Sequence, residues 1–210
     1  MSSINLSSLG LHDLMDREWL AVNHIGGYAS QTILGLNTRK YHGLLVASMS
    51  PPVRRMVILS RVEDFVRTAG RVDPISCCEY PGVVHPNGRA FLKAFSPVPY
   101  PRWAYQGDGW TIEKNLRLLP GENTVLLSYT LLTGNKSVEL ELRPLFALRG
   151  VHEMTYQSGG RLHAQVRSPR SMHIAATSRT PEVFIAHDGA FESHGELREW
   201  LCKHAPAFLC

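Results

Sequence analysis

The amino-acid sequence predicts an all-β fold, an antiparallel β-sandwich with minor helices near the two termini. Three observations lead to this prediction. Period-2 alternation of apolar and polar residues recurs through the middle of the chain, turn dipeptides separate the alternating runs, and helical spacing is weak and confined to the ends. With 210 residues, of which 44% are hydrophobic, the chain is long enough to bury a sizeable core.

The clearest alternation lies in three consecutive runs between residues 111 and 142. In Thr111–Leu119, apolar side chains at 112, 116 and 118 face away from the polar ones between them. Asn123–Leu132 follows a Pro-Gly turn dipeptide, and Val138–Leu142 follows a Gly-Asn dipeptide. Short turns between alternating runs predict that these three strands form an antiparallel meander.

The remaining elements are shorter and are mostly bounded by Gly or Pro. Weak helical spacing is present in Leu9–Arg17 and in Glu192–His204, and Pro97–Pro101 is a stiff connection that could carry the chain between two sheets. We assign residues 1–192 to the sandwich and residues 193–210 to a C-terminal helix or tail. The other predicted strands are Tyr41–Met49, Met56–Val66, Ala90–Phe95, Arg161–Val166, Met172–Thr177 and Val183–His187.

Composition argues against several classes of protein. Met1–Leu20 lacks the basic and apolar regions of a signal peptide, and no run approaches the roughly 20 apolar residues that span a bilayer. We therefore expect a cytoplasmic protein with no membrane partner. The formal net charge is +4, but Lys and Arg are scattered, which indicates a weakly basic surface and no nucleic-acid partner.

The cysteines do not form the spacing of a disulfide framework, and reduced thiols are expected. A zinc site built from the C-terminal residues would have poor ligand spacing, so we predict no metal. The cysteines are Cys77, Cys78, Cys202 and Cys210, and the residues considered for zinc are His194, Cys202, His204 and Cys210.

The densest run of unusual residue types lies between Glu18 and Pro52. From Asn23 to Gly43 it mixes glycines, amide and hydroxyl side chains, tyrosines and cations. Flat apolar faces suit the C–H groups of sugars, and amide, guanidinium and imidazole groups suit their hydroxyls, so this mixture is typical of a carbohydrate-binding surface. The Gly-Gly-Tyr at 26–28 lacks the Lys-Ser/Thr ending of a phosphate-binding loop and predicts a tight turn.

This segment resembles the amino-terminal domain of glycogen debranching enzymes of the bacterial and archaeal type, the amylo-α-1,6-glucosidase family. The match rests on EWL, on GGYAS and above all on NTRKYHGLLVA followed by PP, and weaker agreement continues to about residue 155. The resemblance implies a β-supersandwich of the galactose-mutarotase type, which precedes an (α/α) barrel that holds the amylo-α-1,6-glucosidase site. Nothing in this sequence resembles that barrel.

The resemblance therefore implies a non-catalytic module that binds or orients an α-1,4/α-1,6-glucan, such as glycogen or a maltooligosaccharide. It also implies docking onto the catalytic barrel, in cis or in trans, and no cofactor. Two alternatives stay open. One is a purely structural domain that packs against the barrel without sugar contact, and the other is a basic nucleic-acid-binding β-module, which would need Lys and Arg to converge on one groove.

The candidate substrate-binding residues fall into two groups. In the first, a loop at 37–42 in extended conformation would place Asn37, Arg39 and Tyr41 on one face, leaving the other face for anchoring. In the second, aromatic residues beside a Gly-Asp-Gly turn could either stack on sugar rings or pack in the core, while Trp19 is predicted to be core. The candidates are Tyr28, Asn37, Arg39, Tyr41 and His42 in the first group and Trp103, Tyr105 and Trp110 in the second.

We assign no catalytic residue. Glycoside hydrolysis needs two carboxyl groups, about 5 Å apart for retention or roughly 6.5–9.5 Å apart for inversion. Glu139 and Glu141 lie on the polar side of a clean alternation, where solvent accounts for both. Glu63 and Asp64 are adjacent in a strand and point to opposite faces. We therefore expect this chain alone not to hydrolyse branched dextrin.

Overall fold

The computed structural model describes residues 4–6, 10–80, 83–134, 137–154, 164–175 and 180–190. The described residues up to 154 form one compact unit and those from 164 onward belong to a second, and each unit is described by itself. Nearly all regular structure in both units is antiparallel strand, which confirms the predicted all-β class. No helix in these ranges is long and apolar enough to cross a membrane.

The first unit contains one short helix, α1 (Leu11–Met15), and a 3₁₀ turn at Arg89–Phe91. Its strands are β1 (Ile4–Asn5), β2 (Glu18–Val22), β3 (Tyr28–Thr32), β4 (Gly43–Ser50), β5 (Val53–Thr68), β6 (Arg71–Pro74), β7 (Cys77–Tyr80), β8 (Val83–Asn87), β9 (Leu92–Ser96), β10 (Arg102–Gly107), β11 (Trp110–Leu118), β12 (Val125–Gly134) and β13 (Glu139–Gly150). The second unit contains β14 (Ala164–Ser168), β15 (Ser171–Ile174) and β16 (Val183–Ala186).

The strands of the first unit form two main sheets. One sheet has the order β1-β9-β10-β11-β12, and the other has the order β13-β5-β4-β3-β2 with β6 also paired to β5. Strands β7 and β8 form a separate hairpin. The central strand β5 is buried on both faces from Met56 to Asp64. At Glu63 and Asp64 one face meets Tyr129 of the first sheet and the other meets Cys78 of the β7–β8 hairpin, and Val57 packs in a cluster with Val46 and Val151.

A group of aromatic rings joins the two main sheets. Trp103 on β10 lies with its ring centroid 5.4 Å from that of Trp19 on β2 and 5.2 Å from that of Phe95 on β9. The indole of Trp103 donates a hydrogen bond of 2.8 Å to the carbonyl oxygen of Ile33, which directly follows β3 of the other sheet. Trp19 is 3% exposed, so its predicted core position is confirmed.

The predicted meander is correct for two strands and wrong for the third. Strands β11 and β12 pair as neighbours, whereas β13 pairs with β5 in the other sheet. The alternation recognised in the sequence covers only the start of β13. The strand continues to Gly150 and buries Leu145 and Phe146, and the 16-residue β5 offers a partner long enough for the whole strand.

The prediction that Pro97–Pro101 crosses between sheets is also wrong. This segment connects β9 to β10, which are antiparallel neighbours in the same sheet. The prolines therefore shape a hairpin connection, in which the Val98-Pro99 bond is cis. A rigid segment of five residues is equally suited to either path, so the sequence does not distinguish them.

Other predicted elements agree with the structure to within a few residues where they are described. The N-terminal helix is α1, and the runs at 41–49, 56–66, 172–177 and 183–187 correspond to β4, β5, β15 and β16. The run at 90–95 begins as a 3₁₀ turn before β9, and the described part of the run at 161–166 belongs to β14. The sequence analysis missed β1, β2, β3, β6, β7, β8 and β10. The predicted domain boundary at 192, the helix Glu192–His204, the tail 193–210 and the residues considered for zinc lie outside the described residues.

Candidate functional site

Asn23 fixes the turn between β2 and β3. Its side chain is fully buried, and its Oδ1 accepts a hydrogen bond of 2.8 Å from the backbone N–H of Gly27 while its Nδ2 donates one of 2.8 Å to the carbonyl oxygen of Glu122. Gly26 has φ +95°, and a Cβ there would lie 2.5 Å from the carbonyl oxygen of Pro52. The predicted tight turn is confirmed, and glycine is required at this position for both conformation and space.

Asn37 is an anchor of the loop that follows β3. Its Nδ2 donates a hydrogen bond of 2.8 Å to the hydroxyl of Ser60, and its Oδ1 accepts one of 2.8 Å from the amide of Gln31. Ser60 and Gln31 are buried, at 2% and 4% exposure. The amide of Asn37 is therefore committed to holding the loop against β3 and β5.

Arg39 and His42 meet on one carboxylate. The guanidinium of Arg39 donates to Glu18 Oε1 at 2.5 Å, and His42 Nε2 lies 3.4 Å from the same oxygen. Burial lowers the pKa of His42 and outweighs the opposing effect of Glu18, so the imidazole is neutral at pH 7. His42 is 3% exposed, whereas the side chain of Arg39 is largely exposed.

The loop is not extended, and the predicted division of its side chains between two faces is wrong. The backbone N–H of His42 donates to the carbonyl oxygen of Arg39 at 3.0 Å, which closes a turn over residues 39–42. This turn brings Arg39 and His42 together on Glu18, although the extended arrangement would have placed them on opposite faces.

Tyr41 points away from these anchors. It is 40% exposed, and its hydroxyl lies 3.4 Å from Nδ1 of His152, with the two ring centroids 5.7 Å apart and the planes at 83°. The hydroxyl of Tyr28 donates a hydrogen bond of 2.9 Å to the carbonyl oxygen of Tyr41. We refer to Tyr28, Tyr41 and His152 as the aromatic patch.

Cations surround the aromatic patch. Lys40 Nζ lies 5.1 Å from the ring centroid of Tyr41, and the buried Arg149 donates a hydrogen bond of 2.7 Å to the carbonyl oxygen of Lys40. Arg55 donates one of 2.6 Å to the carbonyl oxygen of Gly26. Burial raises the pKa of Tyr28, and the positive charge of Arg55 only partly opposes this, so the phenol remains a neutral donor.

The second group of candidates lies between the sheets, away from the aromatic patch. Trp103, Tyr105 and Trp110 are 3%, 5% and 1% exposed. The indole of Trp110 donates a hydrogen bond of 3.2 Å to the carboxylate of Asp73, and burial raises the pKa of Tyr105. Protein atoms cover their ring faces. These residues therefore pack in the core, which the sequence analysis left open as the alternative to stacking on sugar rings.

In the aromatic patch the structure brings together two of the predicted residues, Tyr28 and Tyr41, and adds residues that the sequence did not suggest. His152 is separated from Tyr41 by 111 positions, and Arg149 from Lys40 by 109. No local pattern connects such distant segments. They meet because β13 pairs with β5 and β5 pairs with β4, so that the end of β13 lies beside the 37–42 loop.

The carboxylates considered for catalysis have protein partners. Glu63 and Asp64 are 2% and 1% exposed and lie on opposite faces of β5, where Glu63 accepts from the Cys78 thiol at 3.3 Å and Asp64 accepts from the Tyr129 hydroxyl at 2.9 Å. Glu139 is exposed as predicted. Glu141 is not simply solvated, as the alternation had suggested, since both flanking arginines, Arg67 and Arg143, pair with it.

The two cysteines in the described ranges, Cys77 and Cys78, are free and buried, and burial raises the pKa of both thiols. Across the same ranges, no three side chains among His, Cys, Asp and Glu are grouped as metal ligands.

Fold and surface together define an all-β sandwich module whose loops present tyrosine, imidazole and cationic side chains on one surface. Residues 17–202 match the family described as glycogen debranching enzyme N terminal, and the chain belongs to this family. The matched region continues beyond residue 155, where the resemblance recognised in the sequence ended. Neither the curated proteins nor the solved structures contain a match to this chain.

Proposed function

We propose that this chain is a non-catalytic module of a glycogen debranching enzyme and that its aromatic patch binds an α-1,4/α-1,6-glucan. The observation that carries the proposal is the position of Tyr41. Its ring is 40% exposed, although the neighbouring His42 is buried and Asn37 is fixed by hydrogen bonds. The loop therefore holds an apolar ring in solvent on a rigid base, which is the usual arrangement of a binding residue.

The chemistry of the patch suits a sugar. The exposed ring of Tyr41 offers a flat surface to the C–H face of a glucose unit, and the imidazole of His152 can donate to or accept from a hydroxyl group. Lys40, 5.1 Å from the centroid of the Tyr41 ring, supplies a further donor at its side. A neutral polyhydroxylated chain uses all three kinds of contact without requiring a counter-charge.

Calorimetric titration of the purified chain with maltoheptaose tests the proposal. We expect binding, and we expect Tyr41→Ala to weaken it by about tenfold or more, which corresponds to roughly 1.4 kcal/mol. Tyr100→Ala is the matched control, because Tyr100 stacks on Arg117 at 3.9 Å, away from the patch. Tryptophan fluorescence would be a poor reporter, since Trp103 and Trp110 are buried.

Absence of heat at millimolar maltoheptaose would contradict glucan binding, and equal affinity of Tyr41→Ala and the wild-type chain would exclude the patch as the binding surface. The first result would favour the purely structural role. The anchoring of Asn37 and His42 supports that role for these two residues, because their side chains are used within the domain.

The second part of the proposal is docking onto the catalytic barrel. Leu20 and Val22 on β2 are 66% and 50% exposed, and they lie at the edge of the β13-β5-β4-β3-β2 sheet. Exposed apolar side chains on a sheet edge favour a protein partner. Binding of a separately expressed barrel domain to this chain is the measurement that tests it.

A further inference from the structure

Strand β12 is an edge strand that lacks two of the usual protections against pairing with another strand, charged residues and proline, and its one irregularity lies at Leu132 near its end. Of the described residues, only those of β11 pair with it. From Val125 to Gly134 it contains no charged residue and no proline, whereas natural edge strands commonly carry both. Leu126 and Leu132 are 51% and 53% exposed. Within the part of the chain that the structure describes, this edge is therefore open to a further strand.

The sequence of β12 is nearly symmetric about Tyr129. In an antiparallel pair of identical strands related by a two-fold axis through this residue, each position faces the position equally far on the other side. Such pairing would place hydroxyl opposite hydroxyl and leucine opposite leucine. The facing pairs are Ser128 with Thr130, Leu127 with Leu131 and Leu126 with Leu132.

We propose that β12 joins two copies of this chain edge to edge, so that their two β1-β9-β10-β11-β12 sheets become one continuous antiparallel sheet. To pair with this edge, a strand from an unrelated protein would need only an apolar sequence. The near-symmetry about Tyr129 favours self-pairing, because a two-fold axis at this residue places leucine opposite leucine and hydroxyl opposite hydroxyl in the second copy. Cross-strand pairs of apolar side chains are the main source of stability in such a ladder.

The geometry of β12 supports the position of the two-fold axis. Tyr129 is held by its hydrogen bond of 2.9 Å to Asp64, which fixes the ring at the centre of the strand. The register with β11 is regular from Val125 to Leu131 and shifts only beyond it. The axis therefore lies in the regular part of the strand, with the shift near its end.

Sedimentation velocity of the 210-residue chain tests the proposal. An edge-to-edge contact is small compared with the ~1,600 Å² of a standard interface, so we expect a dimer whose population rises with concentration. A range from about 1 µM to about 500 µM covers the corresponding dissociation constants. A wild-type chain that is monomeric throughout this range overturns the proposal.

Two double variants test the register. Ser128 and Thr130 are both exposed and face each other across the proposed axis. Ser128→Lys with Thr130→Lys places like charges opposite each other twice and should give a monomer. Ser128→Lys with Thr130→Glu places opposite charges together twice and should restore the dimer. Val72→Lys, on the exposed strand β6 of the other sheet, is the control and should leave association unchanged.

A dimer that persists in the double-lysine variant would overturn the proposal, as would failure of the Lys/Glu variant to recover association while its circular dichroism matches that of the wild-type chain. Hydrogen exchange of the wild-type chain gives a test without substitutions. Protection of the β12 amides that increases with protein concentration supports the self-pairing, and protection that is the same at both ends of the range contradicts it.

Discussion

Replacing Lys114 with methionine tests the buried polar network between the two main sheets. Lys114 on β11 pairs with the carboxylate of Asp64 on β5, and Asp64 also accepts a hydrogen bond of 2.9 Å from the Tyr129 hydroxyl. Asp64 is 1% exposed and Lys114 is 8% exposed, so water cannot take the place of the ammonium group. Methionine keeps an apolar stem of similar length and removes the ammonium group with its charge and its hydrogen-bond donors.

The expected loss follows from the burial of Asp64. Removing one partner of a buried ion pair leaves an uncompensated charge and typically costs about 3–5 kcal/mol. We expect Lys114→Met to lower the free energy of unfolding by this amount, measured by urea denaturation followed by circular dichroism. Lys93→Met is the control, because Lys93 is exposed and its ammonium donates to the backbone carbonyl of Ala90. The free energy of unfolding of this variant should stay within about 0.5 kcal/mol of the wild-type value.

A double-mutant cycle separates the unpaired charge from other effects of the substitution. Asp64→Asn combined with Lys114→Met leaves neither charge of this pair, so the double variant should be more stable than Lys114→Met alone. The reasoning about this pair would be refuted if Lys114→Met lowered the free energy of unfolding by less than about 1 kcal/mol. It would also be refuted if the losses of the two single variants simply added in the double variant.

Asn23→Ala removes the acceptor that satisfies the buried N–H of Gly27, and we expect it to lower the free energy of unfolding by about 2–4 kcal/mol in urea denaturation; a loss below about 0.5 kcal/mol would contradict the role of the turn. Glu141 gives an acid-dependent prediction. Burial raises its pKa, but hydrogen bonds from Arg67 and Arg143 outweigh burial and lower it below 4.5. Its contribution to stability is present above pH 4.5 and is lost as the pH falls through the lowered pKa, so Glu141→Gln should show a smaller fall in Tm between about pH 5 and pH 3 than the wild-type chain; parallel curves would exclude this contribution.

Alternation in the sequence predicts which side of a strand is buried, but it does not predict which strand lies beside it. The runs at 111–119 and 123–132 correspond to β11 and β12 because a short turn forces them together. Strand β13 also follows a short connection, yet it pairs with β5. Its register depends on the burial of Leu145 and Phe146, and this becomes evident only when the opposite sheet is present.

The candidate site was predictable only in part for a related reason. The loop that carries Tyr41 was recognisable from its residue types, whereas His152 comes from a segment 111 positions away. The aromatic residues beside the Gly-Asp-Gly turn had the composition of a binding surface but lie in the core. Trp110 packs so closely on Gly107 that a Cβ there would lie 2.3 Å from the indole ring. Sequence composition does not distinguish an exposed ring from one that packs on the backbone of its own turn.

The arrangement of the 37–42 loop explains why buried and exposed polar residues alternate within such a short stretch. Asn37 holds one end of the loop through its hydrogen bond to Ser60, and at the other end His42 is buried beside Glu18. With both ends fixed, the turn at 39–42 has little freedom, and the ring of Tyr41 is held in solvent before any ligand arrives. A preorganised ring loses less conformational entropy on binding than a mobile one. In this chain the anchoring residues and the exposed tyrosine therefore serve one purpose, because the hydrogen bonds that stabilise the loop are also those that fix the proposed binding surface.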